Sequence, residues 1–242
     1  MSEKLEEKKE YYPNGNLKAR YCTKNKNIDG EYISYYLNGE IEKKCFYKNG
    51  VLDGIYIYYY QGANGAMQKC FYENGLLNGE CAEIQNDGRI VSKYFYKNGK
   101  LDGEYLVYDE NKNIKKKCFY KDGILDGEYF EIDLIGHINC FYKNGKLDGI
   151  YTIIDYKEED GKIIENIKRE YLYKNDEKLF EKFYICGILH SEEYFNKNVI
   201  EDDDDEYDFS LAKKILKTTG KLAGKAVVGI GKAFVEEYKK NL

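Results

Sequence analysis

The chain has 242 residues, 38 Lys and Arg against 43 Asp and Glu, a formal net charge of −5, and 16% aromatic residues that include 27 Tyr and no Trp. The length admits one large domain or two small ones. The near-balanced, slightly acidic charge argues against a general nucleic-acid binder, which carries a marked basic excess, so no nucleic-acid partner is expected.

Residues 1–10, "MSEKLEEKKE", form a charged N-terminal segment without an apolar core, so no secretory signal is expected there. No run of about 18 apolar residues occurs, so no ordinary transmembrane helix is expected. Seven Cys without a signal point to a reducing, cytoplasmic setting and free thiols.

Residues 11–200 are repetitive. "KKCFYKNG" (43–50) returns as "QKCFYENG" (68–75), "SKYFYKNG" (92–99), "KKCFYKDG" (116–123) and "INCFYKNG" (138–145). A second signal, Leu or Ile, then Asp or Asn, then Gly, ends at Gly30, Gly54, Gly79, Gly103, Gly127 and Gly149, advancing by 24, 25, 24, 24 and 22 residues. A fixed period of this length marks a repeat architecture with one supersecondary unit per repeat. Each unit holds two runs rich in Tyr, Phe, Ile and Val. Asn-Gly or Asp-Gly supplies the positive φ of a tight hairpin turn. The expected fold is all-β: an elongated single-layer antiparallel meander of hairpins, about 24 residues each. Pairing across Asn49-Gly50 is expected to set Tyr47 against Leu52, Phe46 against Asp53 and Cys45 against Gly54. A neighbouring Tyr or Phe ring should cover each strand glycine. Asp53, Asp102, Asp126 and Asp148 recur at this point and read as turn residues.

Cysteine recurs at one position of the repeat. Equivalent positions two strands apart lie about 9.6 Å apart, beyond the Cα separation a disulfide spans. Cys22, Cys45, Cys70, Cys118 and Cys140 therefore cannot bridge in series, and a ladder does not converge on a metal. They read as small packing residues, with Tyr94 standing in the same column.

"FYKNGKLDGEY" (95–105) and its copies resemble the MORN-variant repeat over roughly residues 11–195. The resemblance implies a non-enzymatic, protein-interaction chain. It also implies a protein partner, either a toxin neutralised by an antitoxin-like chain or a client of a scaffold. The lack of Trp and the added C-terminal segment depart from the general MORN pattern. Tyr32, Tyr56, Tyr105, Tyr129 and Tyr151 are the candidate interaction residues, since Tyr is favoured at interfaces.

A catalytic site is needed once, so residues outside the repeat pattern are the candidates for chemistry. His137, in "LIGHINC" (134–140), reads as an exposed turn residue. Cys186 and His190 replace two recurrent turn residues in "FYICGILHSEEYF" (183–195). They are the one nucleophile–base or partial metal pair worth testing, set against a worn terminal repeat. No P-loop, dinucleotide fingerprint, HExxH or GxSxG motif is present. No enzyme activity, cofactor, metal or catalytic residue is expected.

"EDDDDEYD" (201–208) reads as a solvated acidic linker. Residues 209–242 hold eight Lys and two Glu, a balance of +6 that leaves −11 for the rest. They read as a basic amphipathic α-helix. Leu222 lies on its apolar stripe and Phe234 beside it; Lys213, Lys217, Lys221 and Lys225 lie on the other side. Three destinations stay open: an anionic membrane surface, giving a peripheral membrane adaptor; a partner's groove; or the edge of the repeat sheet.

Overall fold

The structure is a computed structural model and describes residues 5–63, 65–132, 136–159 and 162–195. The acidic linker and the basic helix expected over 201–242 lie outside the described residues. Every regular element among the described residues is a β-strand. The chain divides into two compact units: residues up to 131 with 142–145, and residues 132–141 with 146 onward.

Unit 1 runs through β1 (Glu6–Tyr11), β2 (Leu17–Lys24), β3 (Asn27–Tyr35), β4 (Ile41–Lys48), β5 (Val51–Tyr59), β6 (Met67–Glu73), β7 (Leu76–Leu77), β8 (Gly79–Ile84), β9 (Ile90–Lys97), β10 (Lys100–Tyr108), β11 (Ile114–Lys121) and β12 (Ile124–Ile132). Consecutive strands pair antiparallel, except that β7 and β8 both pair with β6. This is the expected meander of hairpins. The sheet begins earlier than expected, because β1 lies inside the charged N-terminal segment. All six of its residues are exposed. Backbone pairing to β2 leaves its charged side chains in water.

Two turn chemistries alternate, one on each side of the sheet. Asn49 (φ 50°) and Gly50 (φ 85°) take two successive positive φ values, as do Asn74-Gly75, Asn98-Gly99 and Asp122-Gly123. Their backbone twist matches that of the flanking strands. On the other side the chain turns through longer loops such as 36–40, where the Gly39 N–H donates to the Tyr36 carbonyl and the Tyr36 N–H to the Glu40 carbonyl.

The register departs from the expected one at the strand glycine. Tyr47 does face Leu52, but Cys45 faces Tyr56 rather than Gly54. Phe46 alone is spanned by Asp53, Gly54 and Ile55, so β5 carries two extra residues. The same bulge recurs between Tyr96 and Tyr94 and between Tyr120 and Cys118. Gly54 and Gly127, at φ 117° and 130°, allow the backbone to swing out, which L side chains oppose. A Cβ on Gly54, Gly103 or Gly127 would sit 3.4, 3.3 or 3.0 Å from the Cβ of Phe46, Phe95 or Phe119. A phenylalanine lies against each of these three, whereas nothing lies within 4 Å of a Cβ on Gly30, where the expectation fails.

The bulge aspartates fasten each repeat to the next. Asp29, Asp53, Asp102 and Asp126 accept the backbone N–H of Asn49, Asn74, Asp122 and Asn144 at 3.0–3.2 Å. The glycine N–H of each turn donates to a carbonyl of the previous repeat, as Gly50 does to Ile28 at 2.7 Å. Along the opposite side, the hydroxyls of Tyr12 and Tyr36 donate to the carbonyls of Tyr35 and Tyr59 at 2.7 and 2.6 Å. Neighbouring hairpins are thus stapled at both ends.

Unit 2 contains β13 (Gly136–Lys143), β14 (Lys146–Leu147), β15 (Gly149–Glu159), β16 (Lys162–Lys174), β17 (Glu177–Ile185) and β18 (Ile188–Tyr194). β13 pairs with β15, and β15 to β18 follow in antiparallel order. β15 and β16 are 11 and 13 residues long. That length overturns the reading of His137 as an exposed turn residue. β13 starts at Gly136 opposite Asp155, which puts His137 opposite Ile154 within the sheet. It is buried, 4% exposed, with Nδ1 2.7 Å from the Tyr156 hydroxyl. A Cβ on Gly136 would lie 2.2 Å from the Ile154 carbonyl oxygen, so only glycine permits this approach.

Candidate interaction surface

The bulge brings the recurrent cysteines and tyrosines into one row. On neighbouring strands of unit 1 the opposed residues are Tyr21 and Tyr32, Tyr32 and Cys45, Cys45 and Tyr56, Tyr56 and Cys70. Further along, Cys81 faces Tyr94, Tyr94 faces Tyr105, Tyr105 faces Cys118, and Cys118 faces Tyr129. Opposed residues point to one face of a sheet. The candidates Tyr32, Tyr56, Tyr105 and Tyr129 therefore share a face with the cysteines they flank. Tyr151 sits in unit 2 opposite Tyr171.

Cys45 and Cys118 are wholly buried and Cys81 nearly so, in keeping with small packing residues. Two expectations about cysteine fail. Cys22 is outside the row: Tyr21 takes the row position, and Cys22 is the half-buried residue opposite the bulge. Cys70 and Cys81 are not both free thiols but form a disulfide, with Cα atoms 4.2 Å apart. The separation of about 9.6 Å holds only for residues two strands apart. Cys81 is on the adjacent strand, where other repeats carry Tyr.

Each candidate tyrosine is half-buried and held by other rings. Tyr32 stacks on Tyr21 at 5.5 Å and meets Tyr47 edge-on at 5.8 Å. Tyr56 meets Tyr72 at 5.4 Å, Tyr105 stacks on Tyr94 at 5.3 Å and meets Tyr120 at 6.1 Å, and Tyr129 meets Tyr142 at 5.9 Å. Tyr151 packs against Tyr171 and Tyr173, both at 6.0 Å. Lys43 and Lys116 lie over the rings of Tyr32 and Tyr129 at 5.1 and 4.9 Å. Burial pushes the phenols of Tyr32 and Tyr56 up to about 12 and raises those of Tyr105, Tyr129 and Tyr151. At neutral pH all five are neutral hydroxyls that can donate and accept hydrogen bonds. The row offers a partner aromatic edges at fixed spacing, already ordered before contact.

The opposite face carries a feature that counting tyrosines overlooks. Phe46 and Phe71 are exposed there, with Phe95 and Phe119 half-buried. Ion pairs cross it between strands: Glu31 with Lys44 (2.9 Å), Glu80 with Lys93 (2.7 Å) and Glu104 with Lys117 (2.9 Å). The signal was the period of two in "KKCFYKNG", which puts Phe46 opposite in direction to Cys45 and Tyr47.

Cys186 and His190 both lie on the hairpin of β17 and β18. Cys186 (φ 48°) and Gly187 (φ 78°) form the turn between β17 and β18. His190 lies beyond it against the Phe183 ring at 6.3 Å. Both are exposed. Among the described residues no group of three or more His, Cys, Asp and Glu could hold a metal ion. Lys213, Lys217, Lys221, Leu222, Lys225 and Phe234 lie outside the described residues.

The sequence matches the MORN repeat variant over residues 7–25, 28–49 and 101–122. Those segments cover β1–β2, β3–β4 and β10–β11, each a hairpin of unit 1. MORN repeats are in general non-catalytic and bind proteins or membranes. No curated protein matches the sequence.

Proposed function

We propose that this chain is a non-catalytic binding platform that holds a protein partner on the tyrosine face of unit 1. The observation that carries it is the row itself. Tyr32, Tyr56, Tyr105 and Tyr129 are each locked by neighbouring rings yet half-exposed. A pre-ordered aromatic surface loses little side-chain entropy on binding, and Tyr brings large contact area with a polar tip. Scaffolding and antitoxin-like neutralisation of a toxin are both uses of such a platform; the second rests on the family resemblance. The reading takes the setting to be the cytoplasm.

The test is affinity capture from native lysate with the full-length chain. Charge reversal at Lys43 and Lys116, beside the row, should abolish stoichiometric capture of one protein. Phe46→Ser with Phe71→Ser, on the other face, should leave it intact. Capture that survives the first pair and fails with the second would move the platform to the phenylalanine face.

The sequence feature that favours a second reading is the eight-to-two excess of Lys over Glu in residues 209–242. It supports a peripheral membrane adaptor that docks through Lys213, Lys217, Lys221 and Lys225. Flotation with anionic but not neutral vesicles, lost on Lys217→Glu with Lys221→Glu, would favour the adaptor.

A further inference from the structure

We propose that Cys70 and Cys81 form a thiol–disulfide switch that sets how firmly the β6–β8 hairpin is held in unit 1. The inference stands independently of which face binds a partner.

Three departures from the repeat coincide at this hairpin. First, Cys81 stands where β3, β5, β10 and β12 carry Tyr32, Tyr56, Tyr105 and Tyr129. A large ring covering the neighbouring cysteine is replaced by a second sulfur. Second, Asn78 stands where the other bulges of unit 1 have Asp29, Asp53, Asp102 and Asp126. Those aspartates clamp the backbone N–H of the following turn, whereas the Asn78 amide donates to Glu73. Third, the gap in pairing opposite β6 is one pair wider than at the other bulges of unit 1: the ladder passes from Tyr72–Leu77 to Lys69–Ala82, where that of β4 and β5 passes from Tyr47–Leu52 to Cys45–Tyr56. The hairpin has lost a ring contact and a carboxylate clamp, and it has gained a covalent bond between adjacent strands.

No other row cysteine of unit 1 can do this. Cys45 lies between Tyr32 and Tyr56, and Cys118 between Tyr105 and Tyr129. The next row cysteine is at least two strands away, about 9.6 Å or more. Burial also pushes the Cys45 thiol up to about 11 and raises that of Cys118, which keeps both protonated and unreactive.

The chemistry is exchange with a small-molecule disulfide of the oxidised glutathione type. One cysteine thiolate attacks that disulfide, forming a mixed disulfide and releasing one thiol. The second thiolate attacks the protein-side sulfur, closing Cys70–Cys81 and releasing the second thiol. Two electrons pass from the cysteine sulfurs to the oxidant, and the two cysteine protons end on the two released thiols. Cys70 and Cys81 are 4% and 1% exposed, so either direction proceeds through opening of the hairpin. The missing clamp and the wider gap in pairing ease that opening. In the dithiol form the small cluster of Cys70, Cys81 and Tyr94, with Tyr72, Leu77, Tyr96, Leu101 and Tyr105 around it, keeps its apolar contacts but loses its cross-link.

The test uses the full-length chain in glutathione buffers of graded redox poise. Alkylation after denaturation, read by peptide mass, reports whether Cys70 and Cys81 are bridged. Thermal melting and amide hydrogen exchange report the consequence. Bridge occupancy should titrate with the poise. Reduction should lower Tm by about 5–10 °C, the range expected for opening a short cross-linked loop. It should also speed exchange of the 67–84 amides by about tenfold or more, leaving those of β10 and β11 unchanged. Cys81→Tyr, which restores the repeat residue, should melt alike with and without reductant. Oxidised and reduced wild type melting within about 1 °C of each other, with the same 67–84 exchange, would overturn the switch. Alkylation of both cysteines in air-oxidised, denatured protein would do the same.

Discussion

In unit 1 the strand after each Asn-Gly or Asp-Gly turn reads Leu-Asp-Gly or a near copy. The aspartate clamps the next turn while the glycine makes room for a phenylalanine. In unit 2 the last hairpin keeps the turn but reads Leu189-His190-Ser191. There the bulge at β17–β18 carries neither a carboxylate nor a glycine. The difference shows where the repeat places its chemistry. The turn shapes one hairpin, and the bulge residues tie that hairpin to its successor. A repeat can therefore keep its own fold after losing the groups that join it to the next, as expected where stability is a sum of local units and their interfaces. Cys186 and His190 both occupy that released hairpin, and both are exposed.

The sharpest way to break the comparison is at a bulge glycine. Gly127→Val would push a branched side chain into the Phe119 Cβ at a φ of 130°. It should destabilise unit 1 by about 3–4 kcal/mol in urea unfolding. Gly62→Ala, at φ 69° with open space around it, should lose no more than about 1 kcal/mol.

Unit 2 should differ by its pH response. Burial, with Lys168 adding to it, lowers the His137 pKa from 6.5 to about 4. Between those values the unfolded chain takes up a proton that the folded one refuses. Stability is thus full above pH 6.5 and falls as pH drops toward 4, by up to about 3 kcal/mol. Melting followed from pH 7 to 4 should show that slope, and His137→Phe should flatten it. An unchanged slope in the variant would show that other groups drive the acid response.

Smaller effects separate packing cysteines from exposed ones. Cys118→Ser puts a hydroxyl into a fully buried site and should cost about 2 kcal/mol. Cys186→Ser, in an exposed turn, should change stability by less than about 0.5 kcal/mol. The weakest contrast is at the clamp. Asp126→Ala removes the acceptor for Asn144 and should cost about 1 kcal/mol, whereas His190→Ala, at the matching position of the last hairpin, should cost nothing measurable. Equal losses in the two variants would mean that the carboxylate contributes no fastening.

How much was legible follows from the range of the forces involved. The turn at Asn49-Gly50 is a local matter of two φ angles, so the sequence alone places it, and a period of about 24 residues then determines the hairpins and their order. The packing role of Cys45 and Cys118 follows as well, because it needs only strand spacing. Other features were settled between strands. The bulge at Gly54 changes which residue faces Cys45; a glycine within a strand hints at a bulge, but the two extra residues it takes up are fixed only by the partner strand. The Cys70–Cys81 bond depends on that shifted register. His137 was read as a turn residue because a strand's length is set by what pairs with it, and only the pairing with β15 draws it into the sheet. Short-range sterics and periodicity are written in the chain itself; register, burial and the meeting of distant side chains arise only when the strands lie side by side.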